Sequence, residues 1–203
     1  MQIETRTGPR GGLSLVLDVL AQPADAFRYM AQRRYLLLGL AVYTLSQVPL
    51  NLAPSLPFTA DLGGLRETAP PTVGSVVGDS IFNIIGLIVA AVPMHIIARL
   101  FGGQNSYRQL LQAMGFAALP TLLVAPFAVV AHLADLPLIY LLALVVALAW
   151  SLGLTVIALR ETYGFGTGRA VAVLAVDLIV TLSVIFGLGV LLSLLTLGVL
   201  RGI

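Results

Sequence analysis

The chain has 203 residues, of which 59% are hydrophobic and 10% are charged. Soluble domains carry about 25% charged residues, so this chain has too few charges to cover a water-exposed surface. It has no cysteine, which excludes disulfides, thiolate catalysis and metal–thiolate centres. The net charge of +2 indicates no nucleic-acid partner, because the charges flank apolar segments.

The N-terminal part is predicted to lie outside the membrane core. Residues 1–13 are polar and predict a flexible cytoplasmic tail. In residues 14–34 apolar side chains are interspersed with acids and arginines, and such helices lie in the membrane interface. Pro23 divides this segment into two short helices, since proline fits a first helical turn. Asp18 and the lack of a small-residue cleavage site argue against a signal peptide.

Five apolar runs follow within residues 35–203, which we predict to be one all-α transmembrane domain. Each run is near the roughly 20 residues that a crossing needs. They span residues 35–52, 80–98, 110–134, 136–159 and 170–200. The sequence therefore predicts a polytopic bundle of five transmembrane helices preceded by a short amphipathic interfacial helix.

Prolines and glycines predict the irregular parts. Residues 135–137 predict a tight hairpin between the third and fourth spans, and residues 53–74, with four prolines, predict a loop. Pro93, Pro120 and Pro126 are expected to kink their spans. The last run would extend about 46 Å at 1.5 Å per residue, beyond the ~30 Å hydrocarbon core. We expect this last run to tilt, protrude or bend at Gly187 and Gly189.

Small residues recur near the same place. Ser183 precedes Gly187 by four residues, and Ser193 follows Gly189 by four. This spacing predicts close helix packing, either within the bundle or between protomers, and we favour packing within the bundle.

The arginines predict the orientation, because basic residues stay on the cytoplasmic side. Two arginines, Arg66 and Arg201, fall on one side of the predicted membrane. The other nine fall on the N-terminal side: Arg6, Arg10, Arg28, Arg33, Arg34, Arg99, Arg108, Arg160 and Arg169. The N-terminus is thus predicted inside and the C-terminus outside. The absence of lysine suggests a GC-rich genome, hence a prokaryotic inner (cell) membrane.

Polar residues inside the spans are the candidate binding residues, because burying them in lipid is costly. Counting from the arginines places Asp177, His95 and Gln112 in the cytoplasmic half, where an Asp177–His95 pair is geometrically feasible. Asp79 and Asn83 share a helix face near the outer side. Two interpretations stay open: an ion- or proton-linked path, or interhelical hydrogen bonds that only fix packing.

No catalytic or metal-binding motif occurs in the sequence. It has no Gly-x-Ser-x-Gly, phosphate-binding glycine loop or His-Glu-x-x-His, and its two histidines lie on different predicted spans. We therefore predict a protein that is not an enzyme and needs no cofactor and no metal ion.

The most distinctive sequence motif follows the second apolar run. It reads Gly102-Gly103-Gln104-Asn105-Ser106-Tyr107-Arg108-Gln109, followed by Gly115-Phe116-Ala117 and Pro120. This motif resembles the Yip family (Ypt/Rab-interacting proteins) in its prokaryotic form. Further similar features are Pro23 with Phe27, Trp150, and the loop Tyr163-Gly164-Phe165. The resemblance implies five spans with a cytoplasmic N-terminus. It also implies a role in membrane organisation or trafficking, through self-association or other membrane proteins. The large N-terminal domain and the Asp-Leu-Tyr-Gly-Pro motif of eukaryotic members are missing, so Rab binding does not carry over.

The loop that carries this text has two interpretations of its own. Paired glycines can end one helix, Asn105 or Ser106 can cap the next, and Tyr107 suits the headgroup level. The segment is then either a tight interfacial hairpin, which we favour, or a docking or lipid-headgroup site that uses Arg99 and Arg108.

Two functional hypotheses follow. The preferred one is a non-enzymatic scaffold or adaptor that contacts membrane lipids, further copies of itself or other membrane proteins. The alternative is a transporter or channel for a small molecule, ion or lipid that uses the polar cluster around Asp177.

Overall fold

The computed structural model describes residues 11–52 and 72–200, in which every regular element is a helix. The helices are α1 (Gly12–Ala21), α2 (Pro23–Ala31), α3 (Leu36–Leu52), α4 (Val73–Leu100), α5 (Tyr107–Ala117), α6 (Leu119–Leu122), α7 (Val124–Leu133), α8 (Pro137–Tyr163) and α9 (Thr167–Leu200). Most of the predicted tail and of the loop at residues 53–74 lies outside the described residues, as do Arg6, Arg10, Arg66 and Arg201.

Four described segments are long and apolar enough to cross a membrane. They are α4, the composite α5–α7, α8 and α9, with mean hydropathies between 2.0 and 2.7. The first predicted span, α3, has 17 residues, somewhat fewer than the roughly 20 that a perpendicular crossing needs. The protein is thus an all-helical membrane protein with four candidate spans, and the fifth span stays a prediction.

Prolines break the third span, as the sequence predicted. Pro120 and Pro126 lack the N–H that would bond to the carbonyls of Phe116 and Leu122. The chain accordingly leaves regular α geometry between α5 and α6 and again between α6 and α7. Pro93, by contrast, lies within the unbroken α4.

The turn between α7 and α8 confirms the predicted hairpin. Only residues 134–136 separate the two helices, and Asp135 adopts a left-handed backbone conformation with φ of 52°. Asparagine and aspartate tolerate this region better than most residues, since their short side chains bond locally.

The last helix continues without interruption through Gly187 and Gly189 to Leu200, and its 34 residues extend about 50 Å. Its predicted tilt, protrusion or bend stays a prediction. No atom lies within 4 Å of where a side chain would begin on either glycine, so the predicted packing of Ser183 and Ser193 within the bundle is wrong. This half of α9 faces outward, where no neighbouring helix forces a bend.

The closest helix contact lies elsewhere, between α3 and α5. Backbone atoms of Gly39 and Gly115 meet there: a Cβ on Gly115 would clash with the Gly39 carbonyl, and a Cβ on Gly39 would lie 2.8 Å from the Gln112 carbonyl oxygen. Small residues allow such approach in membrane bundles. As a result α5 sits centrally, in contact with α3, α4 and α8.

The two N-terminal helices pack onto one end of this bundle. α1 buries Leu15 and Val19, and α2 buries Phe27 and Met30, in one apolar cluster with residues of α5 and α8 such as Phe116. α1 and α2 form the two short helices predicted around Pro23, but their placement in a membrane interface stays a prediction.

Candidate functional site

The polar and aromatic side chains concentrate at one end of the bundle, where α2, α4 and α8 end and α5 and α9 begin. All seven arginines in the described residues belong to these helix ends or to the turn before α3. They are Arg28, Arg33, Arg34, Arg99, Arg108, Arg160 and Arg169. We call this the arginine end.

A cluster of four rings lies just inside the arginine end, formed by His95, Tyr107, Tyr163 and Phe165. The Tyr163 hydroxyl and Nδ1 of His95 share a hydrogen bond of 2.5 Å. The ring of Tyr107 meets that of His95 edge-on, with centroids 5.6 Å apart, and Tyr163 stacks on Phe165 at 5.4 Å. The cluster therefore joins α4, α5 and α8.

Gly103 explains how the loop between α4 and α5 closes over this cluster. A Cβ there would lie 2.6 Å from the ring of Tyr163, 2.9 Å from that of Phe165 and 2.9 Å from the Ala98 carbonyl oxygen. Gly102 has φ of +89°, a conformation that glycine adopts without steric cost. Gly102 thus lets the chain reverse direction, and Gly103 leaves room for the two rings.

The rest of the loop is held by local hydrogen bonds. The Asn105 side-chain amide donates to the Thr162 carbonyl of α8. Ser106 caps α5 in a capping box with Gln109, as the sequence suggested. The Tyr107 hydroxyl donates to the Ile88 carbonyl of α4, whereas the side chains of Gln104 and Arg108 are exposed.

Two glutamines hold α2 and the chain beyond it. Gln112, 2% exposed, donates from Nε2 to the Met30 carbonyl at 3.0 Å and accepts from the Tyr35 amide at 2.7 Å. Gln109 donates to the Ala31 carbonyl at 2.5 Å. The two side chains thus add hydrogen bonds to carbonyls at the end of α2, of which that of Met30 also accepts from the Arg33 amide.

Near this turn, the Tyr29 and Tyr35 hydroxyls lie 3.5 Å apart. This hydrogen bond, together with partial burial, raises the pKa of the Tyr35 phenol. Its hydroxyl is therefore neutral at physiological pH.

Glu161 completes the attachment of α2. Its side chain is only 10% exposed and contacts Arg28 of α2 at 3.0 Å and Arg160 of α8 at 2.7 Å. The Arg28 side chain is 60% exposed, so solvent screens the pair and its contribution is small. Glu161 thus orients α2 more than it stabilises the fold.

The predicted cytoplasmic cluster does not form. The Gln112 side chain forms hydrogen bonds to the end of α2 and to the residue before α3, and His95 bonds to Tyr163. Among the described residues no hydrogen bond or ion pair joins His95 to Asp177. Asp177 is 6% exposed, and its Oδ1 is buried without a hydrogen-bond partner. Asp177 therefore stands apart from the other two.

The predicted outer pair lies near the opposite end of α4. Asp79 is exposed and Asn83 is half-buried, one turn apart on the same helix. Neither forms a hydrogen bond or ion pair within residues 11–52 and 72–200. Their predicted binding role stays a prediction.

Sequence reasoning missed Tyr163, Glu161 and Gln109 as site residues. Tyr163 was noted only as part of a distinctive loop, and its bond to His95 depends on how α4 and α8 pack. Gln109 stands three residues after Ser106, a spacing that signals a capping box. Glu161 directly follows Arg160 near a predicted helix end and carried no other signal.

The buried polar groups around the ring cluster are paired with one another or with backbone carbonyls, and exposed arginines surround them. No described group of three His, Asp or Glu side chains is placed to hold a metal ion.

The comparisons with known proteins give one match. The family model of the Yip1 domain matches residues 17–195, which covers α2 to α8 entirely, half of α1 and most of α9. Comparison with curated proteins and with solved structures gave no significant match.

Proposed function

The chain belongs to the Yip1 domain family, and from this membership we propose that it is a non-enzymatic integral membrane scaffold or adaptor in membrane organisation or trafficking. Yip1 is not a known enzyme family. Scaffolds act through surfaces rather than through a reacting group, and this chain offers two such surfaces: the arginine end and the outward faces of its spans.

The observation that carries the proposal is the use of the polar side chains at the arginine end. Gln112, His95 and Asn105 are each committed to holding one segment against another. Side chains used in this way hold the helices of the protein in place, and none of them is a free acid, base or nucleophile. The exposed arginines around them suit anionic lipid headgroups.

We place the arginine end in the cytoplasm of a prokaryotic cell, with α3 as the first of five spans and the C-terminus outside. The positive-inside rule supports this orientation. In this placement the exposed Leu13 and Leu17 of α1 reach the inner leaflet. Anionic lipid then lies opposite Arg99, Arg108 and Arg169.

Two differently tagged copies expressed in one cell test the scaffold role. Purification through the first tag after mild solubilisation is expected to recover the second copy, or a membrane protein in fixed proportion. Mixing the two copies only after solubilisation is the control for association in detergent. Recovery of the first copy alone, without a partner, contradicts the role.

One observation favours a transporter or channel instead. Asp177 is a buried carboxylate with an unpartnered oxygen inside a candidate span, and such residues often mark a path for ions or ligands. On this alternative, Asp177→Asn alters flux in reconstituted vesicles while expression is retained. Asp135→Asn, at an exposed turn, is the control. Equal flux in all three proteins rejects the alternative.

A further inference from the structure

Asp177 of α9 is 6% exposed, and its buried Oδ1 has no hydrogen-bond partner among the described residues. Hydroxyls in the spans can satisfy themselves: Ser46, Thr155 and Ser183 each donate to the carbonyl four residues earlier. An ionised carboxylate only accepts hydrogen bonds, so Asp177 needs a donor from elsewhere.

A groove begins one turn further along α9. Its volume is about 510 Å³, and it lies between α4 and α9. On α9 its lining residues are Val180, Thr181, Val184 and Ile185, which continue the helix face of Asp177 at spacings of three, four, seven and eight residues. The acid therefore stands at the inner end of an apolar, lipid-facing groove.

The lining of the groove on α4 is equally apolar. It consists of Gly86, Val89, Ala90, Val92 and Pro93, and Gly86 has open space where a side chain would begin. The volume lies in the range of small-molecule sites, about 300–1,000 Å³.

We propose that this groove binds a single-chain aliphatic amine, with its ammonium group on Asp177 and its alkyl chain between α4 and α9. The ammonium supplies the donors that the carboxylate lacks and balances its charge. The alkyl chain covers the apolar lining.

Other ligand classes fit this site less well. A neutral lipid chain leaves the carboxylate without a partner, which is costly in an apolar site. A hard metal ion needs about six oxygen ligands, whereas the Asp177 carboxylate supplies two. An anionic lipid would place like charges together.

The inference goes beyond the scaffold role and gives the alternative role a ligand class. If the amine binds but no flux is measured, the inference holds and the transporter role is rejected. Loss of self-association would leave the inference unchanged.

The test uses the full chain in nanodiscs of zwitterionic lipid. The probe is dodecylamine with a photoreactive diazirine on its alkyl chain, and labelled residues are read by mass spectrometry. Saturable labelling is expected within residues 86–93 and 180–185. Unlabelled dodecylamine is expected to compete at least about ten times better than dodecanol, because only the amine pairs with the acid.

Variants then test the individual groups. Asp177→Asn keeps the size of the side chain and is expected to weaken binding about tenfold or more. Asp135→Asn, which removes an exposed carboxylate, is expected to leave it unchanged. Val184→Trp fills the groove from its lipid-facing side and is expected to abolish labelling, which keeps the test valid should Asp177→Asn fail to fold.

Three results overturn the inference. They are equal competition by dodecanol, labelling spread over all lipid-facing helices, and full binding by the folded Asp177→Asn protein. Each shows that the amine only partitions into the lipid or binds elsewhere.

Discussion

Gly115 has a role that no other residue type can take. Its α-carbon meets the carbonyl of Gly39 across the α3–α5 contact, and backbone cannot yield as a flexible side chain does. Gly115→Ala is therefore expected to destabilise the protein by about 1–3 kcal/mol, the usual cost of overpacking. A lowered thermal unfolding midpoint in detergent measures this effect.

Gly153→Ala is the matched control for that prediction. Gly153 also lies within a helix, but has no atom within 4 Å where a Cβ would stand. Alanine favours helix by about 0.5–1 kcal/mol over glycine, so this variant is expected to be as stable as the parent or more so. Equal midpoints for both variants would refute the close contact.

The Tyr163 hydroxyl is a second residue-scale feature, since it links α8 to α4 through His95. Tyr163→Phe keeps the ring stacked on Phe165 and removes only this bond. The expected cost is about 1 kcal/mol, in line with intramembrane hydrogen bonds, again read from thermal unfolding. Tyr43→Phe is the control, because the Tyr43 hydroxyl forms no hydrogen bond among the described residues, and a comparable loss there would contradict the assignment.

At the scale of elements, the buried Gln112 amide helps to attach α1 and α2. Gln112→Leu preserves side-chain size but leaves the Tyr35 amide unpaired and removes one hydrogen bond to the Met30 carbonyl, which still accepts from the Arg33 amide, at a cost of about 1–3 kcal/mol. We expect hydrogen exchange in residues 12–31 to rise about tenfold or more, while α8 keeps its protection.

Gln104→Leu changes an exposed glutamine in the loop between α4 and α5 and serves as the control for that experiment. It is expected to leave exchange in α1 and α2 as it is in the parent. If Gln112→Leu also exchanged like the parent, the apolar contacts of Phe27 and Met30 would suffice to dock the helices.

Local signals predicted the elements well. Pro23 marked the division between α1 and α2, and Pro120 and Pro126 marked the breaks in the third span, because a missing N–H acts on the helix that contains it. The small residues around Gly187 and Gly189 did not predict packing within the bundle, since small residues permit close helix contact without causing it. On the outer half of α9 no described neighbour packs against either glycine.

The site was less predictable than the elements. Ser106 and Gln109 form a local capping box that sequence spacing reveals. The partners of His95 and Gln112 are 68 and 77–82 residues away, so they are determined by how α4 packs on α8 and how α2 and the start of α3 pack on α5. Depth counting placed Asp177 and His95 at similar levels but carried no information about the helix faces they occupy.

At the scale of the whole molecule, the arginines predict the orientation. The chain has no cysteine, so single cysteines can be placed at Gln104, on the arginine end, and at Ala134, at the opposite end. Positive-inside placement predicts that a membrane-impermeant maleimide labels A134C in intact cells and labels Q104C only after the membrane is opened. The reverse pattern would invert the proposed topology.

The scaffold role itself is tested most directly by counting molecules. Protein labelled with one fluorophore per chain is reconstituted in vesicles at several protein-to-lipid ratios, and photobleaching steps are counted for each vesicle. Our account predicts an excess of multi-step vesicles over random co-occupancy, saturating as protein density rises and exceeding that of a monomeric membrane-protein control. Step counts that match random occupancy at every density, in a protein that also recovers no partner from its native membrane, would contradict it.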